Sequence, residues 1–240
     1  MARNATSNAS AMSVLDPAAQ AVVDALHGQA RAQMRSLVWH YLPRLPRLLA
    51  GRPLGAWADT RFYKDKLLPL EPAQGELLYL LARGRRVRCA VEFGTSFGVS
   101  SIYLAAAIRD AGTGGTLIGT EIEPDKVAAA RRNLAQAGLA HHVRVREGDA
   151  RQTLRELDEP VDLLLLDGWP GLALEVLRLV EPRLAPEAIV VVDNVAQFPG
   201  DLKPVVDELS DGKRWHTSRV PLRGGTLVSV SRGAPVPARA

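Results

Sequence analysis

Five short segments of this chain carry residue types and spacings suited to chemistry. The first, Val91-Glu92-Phe93-Gly94-Thr95-Ser96-Phe97-Gly98-Val99-Ser100-Ser101, sets two glycines four apart, so the backbone can turn tightly and approach a ligand at a helix N-terminus. The second, Gly119-Thr120-Glu121-Ile122-Glu123-Pro124, ends an apolar run with a carboxylate able to hold a ribose diol through two hydrogen bonds. The third, Gly148-Asp149-Ala150, offers a carboxylate for an adenine amine or for capping the helix that follows, two compatible roles. The fourth and fifth are Leu163-Leu164-Leu165-Leu166-Asp167-Gly168-Trp169 and Val190-Val191-Val192-Asp193-Asn194-Val195. Each is an apolar run that ends in hard oxygen donors. Two carboxylates and an amide oxygen from Asp167, Asp193 and Asn194 suit Mg²⁺, which prefers oxygen ligands and keeps positions open for water or substrate.

Such residues converge only if the runs before them are neighbouring strands of one sheet. From residue 71 onward the chain alternates strand-like and helix-like segments with short connections, the pattern of a parallel sheet covered on both faces. Strands are expected near 88–93, 116–121, 143–147, 161–167, 188–193, 215–220 and 226–231. Helices are expected near 99–110, 124–137, 151–157, 172–184 and 201–208. Only Pro-Leu-Arg-Gly-Gly separates the last two strands, which predicts an antiparallel hairpin at one edge. Ligands of such open sheets bind beyond the carboxyl ends of the strands, at the switch point of strand order, where these five segments end.

Residues 1–12 read as a disordered tail, 13–70 as a helical cap, 71–232 as the catalytic domain and 233–240 as a frayed end. The cap opens with a helical stripe, including Val22, Ala25, Leu26, Ala30, Met34, Leu37 and Val38, that needs a covering surface, in its own domain or in a homodimer. The apolar content of 47% and charged content of 23% are those of a globular chain. Residues 1–70 hold nine Lys/Arg against four Asp, yet lack the dense basic run interleaved with aromatics that single-strand binders use, so no nucleic-acid partner is expected. Cys89 is the only cysteine, and there is no leader-like or membrane-length apolar run, so a soluble cytoplasmic protein with no membrane partner is expected.

The glycine loop lacks the G-x-G-x-x-G turn of dinucleotide-binding proteins. Its combination with Glu121, Asp149 and the Asp167, Asp193, Asn194 set instead resembles the class I S-adenosylmethionine-dependent O-methyltransferases of the metal-dependent catechol and caffeoyl-coenzyme A type, over about residues 68–232. The resemblance implies a Rossmann-like doubly wound α/β fold of seven strands, mostly parallel with an antiparallel last strand. It implies that S-adenosylmethionine lies against Glu92, Gly94, Thr95, Ser96, Gly98, Ser100, Glu121, Ile122, Gly148, Asp149, Ala150, Asp167 and Trp169. Leu68 and Leu70 would belong to a segment closing over its methionine part. Mg²⁺ or another divalent cation would sit on Asp167, Asp193 and Asn194, and the acceptor would be the hydroxyl of a small phenolic or polyhydroxylated molecule.

Two departures stand out. The family's catalytic lysine, three residues after the first metal-binding Asp, is here Pro170. The cap residues His40, Tyr41, Lys64 and Lys66 are the candidate substitutes, Lys66 foremost because it directly precedes the closing segment. In the terminal hairpin, the acidic residue that orients a second hydroxyl in the catechol enzymes gives way to Gly224-Gly225-Thr226-Leu227; with Leu227 at that position a catechol pocket would be incomplete. Trp57, Trp169 and Phe198 could wall an aromatic acceptor. Two rival readings keep the same cofactor site: a metal-independent methyltransferase acting on another atom, and a cofactor-binding partner protein without activity.

Overall fold

The computed structural model describes residues 13–44 and 64–232. The expected tail, the expected frayed end and residues 45–63 of the cap, Trp57 included, lie outside the described residues. The element order is α1 (Pro17–Tyr41), α2 (Pro72–Arg85), β1 (Cys89–Phe93), α3 (Val99–Ala111), β2 (Thr116–Glu121), α4 (Pro124–Gln136), β3 (Val143–Glu147), α5 (Ala150–Thr153), β4 (Val161–Leu166), α6 (Ala173–Val180), β5 (Leu184–Val192), α7 (Lys203–Leu209), β6 (Trp215–Val220) and β7 (Thr226–Ser231).

The strands form one seven-stranded sheet in the order β3-β2-β1-β4-β5-β7-β6. Only β7 runs against the others, pairing antiparallel with both β5 and β6. The terminal hairpin therefore sits at the sheet edge, as its short turn requires. The order reverses between β1 and β4, which places the switch point beside Phe93 and Leu166.

The central strands are apolar throughout because both sheet faces are covered. Side chains alternate across the pleat: Leu163 and Leu165 join a core with Ala90, Leu117 and helices α1 to α4, whereas Leu164 and Leu166 face the opposite core with Val91, Val190 and helices α6 and α7. Helix α3 is buried from Val99 to Ile108. Part of the α1 stripe is covered by its own domain: Leu26 lies in the core with Leu15, Ala19 and Val23, and Val22 and Ala30 pack against it, whereas Ala25 and Val38 are exposed. Asp16 caps α1 by accepting the Ala18 and Ala19 N–H groups, and its other oxygen meets Arg109.

Three boundaries differ from expectation. The helix after Asp149 is a single turn, ending at Thr153. The helix expected over 172–184 is regular only from Ala173 to Val180, with 3₁₀ turns on both sides and Pro182 in the second. Strand β5 starts at Leu184 and not near 188, because an irregularity lets it reach back: its register with β4 shifts between Val161 and Leu163, and Glu187 lies at φ 58°.

Helices α2 and α3 touch where Gly75 meets Tyr103. A Cβ at Gly75 would fall 2.3 Å from the Tyr103 ring. Gly75→Ala is therefore expected to lower stability by about 1–3 kcal/mol, the usual cost of overpacking, despite alanine's better helix propensity. Urea unfolding followed by circular dichroism measures this, and an unchanged or higher midpoint would show that the ring moves aside freely.

Candidate active site

A cleft of about 530 Å³ opens at the carboxyl ends of the central strands. Among its lining residues are Lys66, Leu68, Gly94, Ser96, Glu121, Ile122, Gly148, Asp149, Ala150, Asp167, Trp169, Asp193 and Asn194, so it gathers most of the positions singled out in the sequence.

The loop after β1 forms one wall. Gly94 lies at φ 96°, and a Cβ there would come within 2.5 Å of the Gly168 backbone, so a side chain would separate the β1 and β4 loops. Gly98, at φ 88°, is the N-cap of α3. Ser96 adopts φ 49°, which aims its N–H at Glu121 Oε2 at 2.8 Å. Glu121 Oε1 accepts the Ile122 and Glu123 N–H groups at 2.8 and 3.0 Å. The Glu121 carboxylate is thus fixed at the cleft wall by three backbone donors. Asp149 caps α5 through Arg151 N and pairs with the Arg151 guanidinium, which holds its carboxyl below the usual range.

Behind the loop lies Glu92, with no solvent exposure. Thr95 Oγ1 donates to its Oε2 at 3.0 Å, and the Ser101 hydroxyl donates to the same oxygen. Burial nonetheless pushes the carboxyl up, and Oε1 has no hydrogen-bond partner among the described residues. Glu92, Thr95, Gly98, Ser100 and Leu70 do not line the cleft. Leu70, expected in the closing segment, is a core residue, whereas Leu68 is 45% exposed at the cleft.

The register of β4 on β5 brings the acidic residues together. Leu166 pairs with Val192, Asp193 N donates to Leu166 O at 3.1 Å, and Asp167 N donates to Phe93 O at 3.0 Å. Each aspartate is therefore the first residue past its strand. Asn194 Nδ2 donates to Asp167 Oδ1 at 3.0 Å. Asn194 itself is left-handed (φ 63°), and the hairpin turn holds the loop after it: Val195 N and Ala196 N donate to the Gly225 and Gly224 carbonyls. Asp193 Oδ1 accepts from Gln74 Nε2 at 2.5 Å and Thr226 Oγ1 at 3.1 Å. Burial pushes Asp193 up to about 6, and burial together with the Asp193 and Glu92 charges raises Asp167 well above its ordinary range.

Of the substitute bases, Lys64 and Lys66 line the cleft. Lys64 pairs with Glu123 at 3.2 Å and Lys66 with Asp65 at 2.9 Å. The His40 imidazole does not line the cleft. Leu227 corrects the reading of the hairpin: it pairs with Val192, is 1% exposed and belongs to the core, so it does not stand in an acceptor pocket. Pro170, Leu172, Ala173, Phe198 and Leu202 give the cleft an apolar wall near Trp169. Sequence reasoning passed over Gln74 and Thr226. The one available signal was the Glu71-x-x-Gln74 capping pattern, and it points to a helix start and not to Asp193.

Comparison with known proteins agrees with this geometry. Residues 91–195 match the model of a methyltransferase domain family. The fold and this domain match are similar to those of S-adenosylmethionine-binding O-methyltransferases of known structure. The chain is similar to a catechol O-methyltransferase of Niastella koreensis, 32% identical over 132 residues that cover 53% of this chain and 58% of that one. A catechol O-methyltransferase of Mycobacterium tuberculosis is 36% identical over 130 residues, 54% of this chain and 58% of its own. The chain thus spans under two thirds of the length of these relatives. Among solved structures, the O-methyltransferase TomG of Streptomyces achromogenes, in complex with S-adenosylmethionine, is 28% identical with a TM-score of 0.65, covering 72% of this chain and 86% of that one. An O-methyltransferase of Bacillus cereus, 23% identical with a TM-score of 0.63, covers 68% and 82% and shows the same fold. No helix among the described residues is long and apolar enough to cross a membrane.

Without a bound cation the two aspartates make folding pH-dependent. A carboxyl raised in the folded state stabilises the fold while protonated, and that contribution disappears as pH climbs from the unfolded value, 3.8, through about 6 for Asp193. In chelator-treated protein, Asp193→Asn should match the parent near pH 4 and melt several degrees higher near pH 7, at roughly 2–4 °C per kcal/mol. Parallel melting curves across that range would show that Asp193 is not perturbed by burial.

Proposed function

We propose that this chain transfers a methyl group from S-adenosylmethionine to a hydroxyl of a small phenolic or polyhydroxylated molecule, with Mg²⁺ or another divalent cation held by Asp167, Asp193 and Asn194. The observation that carries this reading is the meeting of the glycine loop, Glu121, the half-buried Asp167 and the buried Asp193 in one cleft, with no ion pair to either aspartate among the described residues. The names of the similar proteins support the O-methyl chemistry.

The residues fit both groups. Gly94, Ser96, Gly148 and Ala150 bring backbone close to the cleft, Glu121 presents a carboxylate for a ribose diol, Asp149 offers one for an adenine amine, and Ile122, Leu68 and Trp169 supply apolar contact. Glu92, Thr95, Gly98 and Ser100 act from behind the wall by holding the loop. When bound, S-adenosylmethionine supplies an electrophilic sulfonium methyl. The donor set of two carboxylates and an amide is one Mg²⁺ accepts, and the Asn194 amide must turn its oxygen toward Asp167 to join it. A bound cation would lower the pKa of an acceptor hydroxyl. The protein's own part is positional: the β1 and β4 loops fix cofactor and acceptor on adjacent strands, and the apolar wall from Trp169 to Leu202 excludes water and favours a flat acceptor. We assign hydroxyl ionisation to the cation and not to Lys66, whose ammonium is engaged with Asp65.

A metal-independent reaction is the second reading, favoured by Pro170 and by the Asn194 Nδ2 contact to Asp167. Calorimetric titration of chelator-treated protein with S-adenosylhomocysteine and then Mg²⁺ separates the two. Binding of both is expected. Cofactor binding without cation binding, with turnover surviving chelation, would establish the second reading, and absence of cofactor binding would overturn both.

A further inference from the structure

Gln74 stands on α2, 119 residues from Asp193 in sequence, and belongs to no nucleotide-binding motif. It is 5% exposed, and both ends of its amide are engaged. Nε2 donates to Asp193 Oδ1 at 2.5 Å and to Thr226 Oγ1 at 3.3 Å, while Oε1 accepts the Glu71 N–H at 2.9 Å. These partners leave the amide one orientation. A half-turn would set its oxygen against a carboxylate and its NH₂ against an N–H donor.

The consequence falls on Asp193. Its Oδ1 is held from behind by two donors, Gln74 and Thr226, which fixes the plane of the carboxylate, and Asp193 lines the cleft. The opposite end of Gln74 is anchored on Glu71, one residue after Leu70 and three after Leu68 at the cleft. Glu71 in turn meets Arg223 of the β6–β7 turn at 2.6 Å, and Gly224 of that turn holds the loop after Asn194. A single amide thus joins the segment over the cofactor position to the carboxylate at the cation position.

We infer that Gln74 is a positioning residue that sets the orientation of the Asp193 carboxylate for the divalent cation. The inference rests on the metal-dependent reading above. Partners of this kind orient metal-binding carboxylates, and their loss weakens metal affinity by about 10–100-fold.

The test is titration of chelator-treated full-length protein with Mn²⁺ in the presence of S-adenosylhomocysteine, followed by calorimetry and by the electron paramagnetic resonance of free Mn²⁺. Parent, Gln74→Met and Thr226→Val are compared. Mn²⁺ affinity is expected to fall about 10–100-fold in Gln74→Met and by a smaller factor in Thr226→Val. S-adenosylhomocysteine affinity, measured without metal, should stay within about threefold of the parent. Thr226→Val removes a donor to the same oxygen with a side chain of matched shape, so it carries the test if Gln74→Met does not fold. Parent-like Mn²⁺ affinity in the folded variants would overturn the inference. So would equal losses of Mn²⁺ and S-adenosylhomocysteine affinity in Gln74→Met with Thr226→Val unchanged, the mark of a merely structural role. If the parent itself binds no Mn²⁺, the metal-dependent reading fails first and the inference with it.

Discussion

Asp193→Ala is expected to abolish divalent-cation binding and to lower methyl transfer by at least about a thousandfold, leaving S-adenosylhomocysteine affinity within a few fold. The asymmetry follows from position. Asp193 is the first residue past β5, whereas the expected cofactor contacts cluster on the loops after β1, β2 and β3. A cation acting as Lewis acid contributes several kcal/mol, and about 4 kcal/mol corresponds to three orders of magnitude in rate. The substitution has opposed effects on stability. Removing the carboxylate leaves Gln74 Nε2 and Thr226 Oγ1 without that acceptor, at about 1–3 kcal/mol for each buried group, but it relieves repulsion with Asp167. Turnover of a phenolic acceptor at saturating S-adenosylmethionine, with and without chelator, is the measurement. Parent-like turnover in the variant would remove the cation from the reaction and leave Asp193 a structural carboxylate.

Much of this arrangement was legible from periodicity and strand-end chemistry. Runs such as Leu163–Leu166 and Val190–Val192, within a strand–helix alternation, read as central strands between two helical layers, and Asp167 and Asp193 mark where they leave the core. The glycine loop was legible for a related reason: two glycines four apart directly after an apolar strand suit a tight turn into a helix. What escaped reading depends on contacts between distant segments. Leu68 and Leu70 look equivalent in sequence, yet one lines the cleft and the other joins the core, a choice made by the packing of α1 and α2 around them. Leu227 could be placed only once the register of β7 on β5 was known. The Glu187 irregularity left no periodic trace, since a shifted register reads in sequence as a broken strand. Gln74 was hidden because a capping residue and a carboxylate-positioning residue carry the same letter.

The second large effect concerns the missing lysine. Pro170 opens the 3₁₀ turn Pro170–Leu172 and lines the cleft three residues beyond Asp167. Any residue can adopt a proline-like φ, and the first residue of a helical turn needs no intrahelical partner for its N–H, so Pro170→Lys should fold with stability changed by about 1 kcal/mol or less. If the parent depends on the cation alone to ionise the acceptor, an amine at this position adds general-base assistance, which contributes about 10²–10⁴-fold where proton transfer limits the rate. The gain must then depend on the acceptor. For phenols of ordinary acidity, mostly un-ionised at neutral pH, kcat/KM should rise at least about tenfold. For nitro-substituted phenols, already ionised at the assay pH, it should not rise. The ratio of the two, measured across pH 6–9 in parent and variant, reads the effect independently of folding or cofactor affinity, because those factors are common to both acceptors. A uniform gain or a uniform loss would show that acceptor ionisation does not limit the parent, and that proline at 170 shapes the acceptor wall without standing in for a lost base.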